Sequence, residues 1–398
     1  MKSFAQYAGA VALIVAAPAL AATHTIEPGE GAQERLQEAL ILAEPGDEIV
    51  LAAGRYALTD GLSLDVDGVT LRGAGMQQSV LDFTTQSGAG EGLLVTSDDV
   101  TLRDFAIENA KGDGIKSKGA DQIIYDRIRV EWTNGPDAAN GAYGIYPVEA
   151  SHVLVQDSYV RGASDAGIYV GQSEQIIVRR NRVVENVAGI EIENSNFAEV
   201  TENLATQNTG GILVFDLPGL PKVGGGSVLV ANNAVIENNT DNFAPEGNIV
   251  ASVPAGTGVM VMANQGVHVQ DNALINNVTS HVMLIAYTQE FDDERYQPRP
   301  VDVVVRGNIY GSGGSAPDFE GGELLAAAFG GALPSILTDG LHQNLAIEDA
   351  VPVLSLGLTE VGQPFTSASP SMLNPVVAGD APELARVTLP ESMQARLK

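Results

Sequence analysis

Between residues 100 and 310 the chain alternates apolar and polar positions in short runs such as VTLRDFAI, VLVQDSYV, IIVRRNRV and VLVANNAV. The runs begin near Val100, Ile123, Val153, Ile176, Ala198, Val228, Val267 and Val303, separated by 22 or 23 residues or by that plus an insertion. A period of two marks a strand with one buried face, and the spacing is not helical. A second short run follows each first one: GIKSK at 114, GIYPV at 144, GIYVG at 167, GIEIE at 189, GILVF at 211, GVMVM at 258 and the less regular VMLIA at 282. Strand, corner, strand, corner, repeated at one fixed period, predicts an all-β solenoid, a parallel β-helix whose coils hydrogen-bond to one another at about 4.8 Å.

Inward positions of the second run then stack into a column of Ile115, Ile145, Ile168, Ile190, Ile212 and Val259. Asparagine recurs at two offsets, Asn181, Asn203, Asn233, Asn272 and Asn308 at one, and Asn109, Asn186, Asn208, Asn238 and Asn277 at the other. Asparagine tolerates left-handed backbone angles and can bond the coils above and below, so both series read as structural corners. An amphipathic helix over 32–43, stopped by Pro45 and Gly46, is placed to cover the open N-terminal end as a helical cap. The expected division is a signal peptide over 1–21, a β-helix domain over 22–310 and an irregular C-terminal cap or wrapping tail over 311–398, where the repeat is lost.

The first 21 residues, MKSFAQYAGAVALIVAAPALA, join an early lysine to an apolar run and an Ala-Leu-Ala triplet. That is the pattern of a cleavable secretory signal, so the mature chain is expected to start at Ala22 and to work in the periplasm or outside the cell, with no membrane span after signal removal. Of the 398 residues 44% are hydrophobic, enough for a large core, and none is cysteine, which excludes disulfides, thiolate metal sites and cysteine nucleophiles. A net charge of -29 repels nucleic acid and anionic lipid at long range and favours cationic or neutral partners.

Insertions gather around the G-I run: 131–143 and 239–257 precede it, while 216–227 and 289–300 follow it. Its sheet is therefore expected to be the floor of a cleft walled by loops. Lys116, Tyr146, Tyr169, Glu191, Leu213 and Met260 form one outward ladder on that floor, and Lys118, Val148, Gly171, Glu193, Phe215 and Met262 the other. Asp113, Glu149, His152, Asp165 and Asp216 stand at adjoining corners. A lyase or epimerase of uronic acids must neutralise the substrate carboxylate, remove the proton beside it and supply an acid. Lys116 or a bound cation suits the first task, and a tyrosine whose pKa adjacent lysines lower, Tyr146 or Tyr169, or a lysine itself, suits the second. A hydrolase needs two carboxylates across one bond, for which Glu191 and Glu193 are the candidates. The catalytic candidates are thus Lys116, Tyr146, Tyr169, Glu191 and Glu193, with Lys118, Asp113, Glu149, Asp165 and Asp216 as substrate-binding groups. Leu213, Phe215, Met260 and Met262 read as a satellite core beneath the loops, with a partner-docking strip as the sharper alternative. The histidines lack metal-ligand spacing, so no metal site is expected and calcium is the one cofactor left open.

GDEIVLAAGRYAL followed by VTLRGAG, with the repeated G-I-x-V and V-x-x-N segments as far as residue 310, resembles exported right-handed β-helix proteins of the pectate-lyase-like superfamily. The resemblance extends to the carbohydrate-binding and sugar-hydrolase repeat class of the NosD-type periplasmic proteins. VFDLPGLP and NFAPEGNIVASVPAGTGVMVMANQGVHVQDN look like a bacterial group of such repeats that brings no assigned activity. The resemblance implies a right-handed, single-stranded coil and a surface for polysaccharide. It carries over no catalytic residue, because the paired-aspartate motifs of polygalacturonase-like enzymes and the Asp-Pro-His-Glu motif of alginate epimerases do not occur in this sequence. The expectation is an exported polysaccharide-binding β-helix protein, with lyase or uronate epimerase activity as its enzymatic option. The alternative is a non-enzymatic module that docks another exported protein through loops 216–227, 239–257 and 289–300.

Overall fold

The computed structural model describes residues 21–88, 90–364, 367–373 and 383–398, so the expected signal segment lies, but for its last residue, outside them. Helix α1, Ala32–Leu42, covers the first coil with Leu36 and Leu40 fully buried. Behind it the strands stack in parallel as a β-helix.

Each regular coil carries three strands where the hydrophobic pattern suggested two. One coil consists of Ser151–Gln156, Tyr159–Arg161 and Ala166–Gly171, and the next of Glu174–Arg179, Arg182–Val184 and Ala188–Glu193. They pair in register, with Val153 on Ile176, Val160 on Val183 and Ile168 on Ile190. The run VLVQDSYV bends at Asp157, whose φ of 52° lies in the left-handed region, and the buried Ser158 hydroxyl closes the corner by donating to the Gln156 carbonyl at 2.8 Å. A polar residue in that position reads from sequence as one more outward step of a strand, and this hides the bend.

The column Ile115, Ile145, Ile168, Ile190, Ile212 and Val259 is fully buried. The floor sheet runs from Leu62–Leu64 to Val353–Ser355 with every pairing parallel, and Ser371–Leu373 adds an antiparallel edge. Parallel pairing continues beyond residue 310, where Ile336–Thr338 lies on Ser280–Ile285 and Val353–Ser355 on Ile336–Thr338.

Both asparagine series form continuous ladders inside the corners. Asn181 donates through Nδ2 to Asn203 Oδ1, Asn203 to Asn233, Asn233 to Asn272 and Asn272 to Asn308, each at 3.0 Å, and Asn308 ends on Asp349 at 2.9 Å. Asn186, Asn208, Asn238 and Asn277 make the second ladder. The left-handed backbone falls one residue earlier than expected, on Arg180, Glu202, Asn232 and Asp271 in the first series and on Glu185, Gln207, Glu237 and Asn276 in the second. Asn109 belongs with those strained residues: its φ is 58° and it bonds Thr84 and Thr133 outside the buried ladder.

The segment 383–398 returns across the outside of the middle coils and ends in a short helix, Glu391–Arg396. Arg386 grips Glu199 with two bonds of 2.7 and 2.6 Å, and Met393 packs on the outward side chains Ile124, Leu154 and Ile177. Arg396 binds the backbone of Asp99 and Gln122. Among the described residues no helix is long and apolar enough to cross a membrane.

Candidate functional site

The floor sheet presents both expected outward ladders. Tyr146 pairs with Lys116, Tyr169 with Glu191 and Glu191 with Leu213; in the second ladder Val148 pairs with Lys118 and Gly171 with Glu193. The floor is closed for much of its length. Leu213, Phe215, Met260 and Met262 are buried, and Leu217, Val223, Phe243, Ala244 and Ile249 from the two insertions pack onto their cluster. They therefore form the satellite core and not an open docking strip. What remains beside them is a cavity of about 220 Å³ between Met262, Met283, Ile285, Phe319 and Leu356.

At the N-terminal end the floor is more open. The Lys116 ammonium lies 3.6 Å from Asp113 and 3.9 Å from Glu91, and 4.8 Å above the Tyr146 ring. Burial pushes the Asp113 carboxyl up to about 6, against the opposing pull of Lys116. Lys118 pairs with Glu149 at 3.7 Å on the exposed rim. Tyr143, Tyr146 and Tyr169 form an aromatic triad with ring centroids 4.5 to 4.9 Å apart.

The next coils hold Asp165, Glu191 and Glu193, all buried. Glu193 accepts the Tyr169 hydroxyl at 2.6 Å, and Asp165 accepts the Asn248 amide at 3.0 Å and the Tyr143 hydroxyl at 3.4 Å. Gly171 permits the first of these bonds, since a methyl there would overlap the Tyr169 ring and hydroxyl. Glu191 is 1% exposed and its Oε2 has no hydrogen-bond partner. Burial, with Asp165 and Glu193 as neighbouring charges, drives the Glu191 carboxyl well up; burial and Glu193 lift Asp165 to about 7. Burial also raises Asp216 to about 7, although the Gly225 amide and Asn264 bond it at 2.7 and 2.9 Å. Asp216 thereby fastens the turn that follows the floor strand.

Two expectations change. Tyrosines activated by lysine are not what the floor contains: burial first, then nearby carboxylates, raise Tyr143, Tyr146 and Tyr169, Tyr146 to about 12. A phenol in this setting donates a proton through a hydrogen bond and is a poor base. Glu191 and Glu193 also do not stand in an open cleft. His152, counted among the neighbouring corners, turns away to Asp121 at 2.8 Å. Among the described residues no group of three His, Asp or Glu side chains has the geometry to hold a metal ion.

Tyr143, Glu91 and Asn248 were missed. Glu91 was legible in principle, because Gly92-Leu93 repeats the Gly-Ile pattern and Leu93 pairs with Ile115. Asn248 carried no such signal, for it reaches Asp165 from a loop three coils away.

Residues 67–220 match the right-handed β-helix region family. No curated protein matches the chain. Among solved structures, the A-module of a mannuronan C-5 epimerase from Azotobacter vinelandii superposes with a TM-score of 0.54 at 18% identity, covering 82% of this chain and 95% of that one. A second such module from the same bacterium gives 0.51 at 16% identity, with 81% and 93% covered. Likeness at this level of identity establishes the fold, a right-handed parallel β-helix, and leaves the chemistry to be argued from the site.

Proposed function

We propose that this right-handed parallel β-helix binds a polysaccharide along the face that runs from Asp113 to Tyr169, and moves a proton on it at Asp113. The observation that carries the reading is the group Asp113, Lys116 and Tyr146 at the more open end of the floor. A carboxyl near neutrality gives and takes protons at working pH, an ammonium fixes a polar substituent, and a tyrosine ring stacks on a sugar face. The fold shared with modules named for mannuronan epimerisation supports carbohydrate chemistry by analogy.

The finer form of the reading is a lyase or uronate epimerase. In that form Lys116 neutralises the sugar carboxylate, Asp113 removes the proton at the adjacent carbon and the Tyr146 hydroxyl supplies one. The substrate must then displace Asp113 or Glu91 from Lys116. Hydrolysis by Glu191 and Glu193 is less well supported, because both are buried and Tyr169 occupies Glu193. The pattern of the first 21 residues supports action in the periplasm or outside the cell.

The test is a panel of uronate and neutral polysaccharides offered to the purified protein with and without calcium, reading retention, unsaturated-product absorbance and reducing ends together. Binding that Lys116→Ala weakens about tenfold, with turnover lost in Asp113→Asn, is the expected result. A folded protein that retains no member of the panel overturns the reading and leaves docking of another exported protein as its successor.

A further inference from the structure

The floor holds two groups of carboxyls beside tyrosines, and only the first contains a cation. In the first, an ammonium sits over a tyrosine ring between two carboxyls: Lys116 above Tyr146, flanked by Asp113 and Glu91. In the second, Glu191 and Glu193 neighbour Tyr169 and Asp165 accepts from Tyr143, and no lysine or arginine forms an ion pair with any of the three among the described residues. The ladder position of Lys116 is taken by Tyr146, Tyr169 and Glu191 in the three coils that follow.

Buried carboxyls without counter-charge are costly, and they are relieved by a proton or by a cation. Glu193 is served by the Tyr169 hydroxyl and Asp165 by the Asn248 amide, while the buried Glu191 Oε2, with Asp165 and Glu193 as neighbouring charges, has no partner. A compact dication requires several oxygens converging at 2.3–2.6 Å, and such a group is absent among the described residues. An ammonium makes weaker geometric demands: it carries three donors on a small, tetrahedral head, and Lys116 over Tyr146 shows that this floor accommodates one over a tyrosine face.

We infer that the cluster of Asp165, Glu191 and Glu193 is the seat for an ammonium group of the substrate, and that the polysaccharide this face takes is built of amine-bearing sugars. The inference rests on the polysaccharide-binding reading above and replaces its uronate form with an amine-bearing substrate. The cluster is buried, and the Asn248 side chain, an N–H donor on Asp165, stands where the sugar ammonium would donate, so the seat opens to substrate only when the loop moves at that residue. The loop carries glycines with left-handed backbones at Gly247 and Gly256, φ 96° and 87°, on either side of its packed segment. The net charge of -29 steers a polycationic glycan toward the protein, where it would hold a polyuronate off. The ammonium enters charged, the carboxyls give up the protons that burial holds on them, and those protons leave to buffer. Tyr143 and Tyr169 stay protonated, and Asp113, Tyr146, Asp216 and Tyr296 are the other titratable groups whose fields reach the cluster.

The experiment is calorimetric titration of the full chain with four oligomers of equal length: glucosamine, N-acetylglucosamine, galacturonate and a neutral glucan. Each is measured in two buffers of different ionisation enthalpy and at two salt concentrations. The inference expects glucosamine to bind at least tenfold tighter than its acetylated form, with proton release and with affinity falling as salt rises. It also expects Glu191→Gln, which exchanges an unpartnered carboxyl for an isosteric amide, to remove that preference while the thermal midpoint holds or rises. Asn248→Ala, which frees Asp165, should keep or strengthen the preference and so guards against a folding artefact. Equal affinity for the amine and its acetylated form overturns the inference and leaves polysaccharide binding standing, and so does a preference for galacturonate. Failure of all four oligomers removes the polysaccharide reading itself.

Discussion

Gly171 shows how one missing side chain sets the chemistry of its neighbours. The Tyr169 ring folds over it to reach Glu193, and a methyl group at Gly171 would occupy the ring's place. Gly171→Ala is expected to swing Tyr169 away, leave Glu193 without its donor and destabilise the protein by about 1–3 kcal/mol, as overpacking of a well-filled site does. Near-ultraviolet circular dichroism of the tyrosines and urea unfolding test this together; an unchanged spectrum with unchanged stability would refute it. The carboxyls give a second expectation. Asp165 and Asp216 lie at about 7 and Asp113 at about 6, all raised by burial, against an unfolded value of about 4. The folded chain therefore holds more protons than the unfolded one over this interval. Their contribution is complete below pH ~4, is lost as pH rises to ~7, and is flat beyond; each group loses about 1.4 kcal/mol for every pH unit crossed between its unfolded and folded values. The melting temperature should fall from pH ~4.5 to ~7.5, and Asp165→Asn should flatten the slope.

At the scale of the element, the asparagine ladder and the loop over 239–257 behave in opposite ways. Asn203 accepts from the amide and side chain of Asn181 and donates to the Val178 carbonyl, all inside the corner. Asn203→Ala orphans those groups at about 1–3 kcal/mol each, so urea unfolding should show a loss of at least about 3 kcal/mol. Asn109→Ala, on the outer corner, should cost about 1 kcal/mol. Equal losses at the two sites would mean that the ladder adds nothing beyond an ordinary turn. The loop makes few ladder bonds and is held by Asn242, whose amide binds the Val250 and Val253 carbonyls, and by Asn248 on Asp165. Its own Val250 and Val253 are buried, so the loop is tied by side-chain packing and not by the ladder, and a shift of the loop leaves the register of the coils intact.

At the scale of the molecule, the segment 383–398 ties the end of the described chain to coils laid down near its beginning. Removing it uncovers Ile124, Leu154 and Ile177 and leaves Glu199 without Arg386. A truncated chain should melt lower and bind an apolar dye, and Met393→Ala alone should cost about 2–5 kcal/mol. The coil was legible in sequence because its inward column repeats at one spacing from Ile115 to Val259, and each coil meets only its neighbours. The third strand was not, because residues such as Asp157 and Arg180 carry the bend while continuing the polar alternation. The site was legible as a place, since Lys116, Tyr146, Tyr169 and Glu191 do share one ladder. Its closure was not, because the cover arrives from Phe243, Asn248 and Ile249, far along the chain, and its contacts leave no periodic trace.

The two ladders also make the protein a ruler that can be cut only at its graduations. Glu174 pairs with Asn196 and Asn181 bonds Asn203, so residues 174–195 are one complete graduation. Excising that stretch joins Ser173 to Asn196 and starts the two asparagine series at Asn203 and Asn208, which take over the Ser158 and Ala163 amides, giving a shorter molecule that should still fold. Excising 174–184 throws both series out of step, and that chain should not fold. Change in length at this scaffold therefore comes in whole turns or is confined to corner loops, and the distance between any two points on the floor is counted in integers.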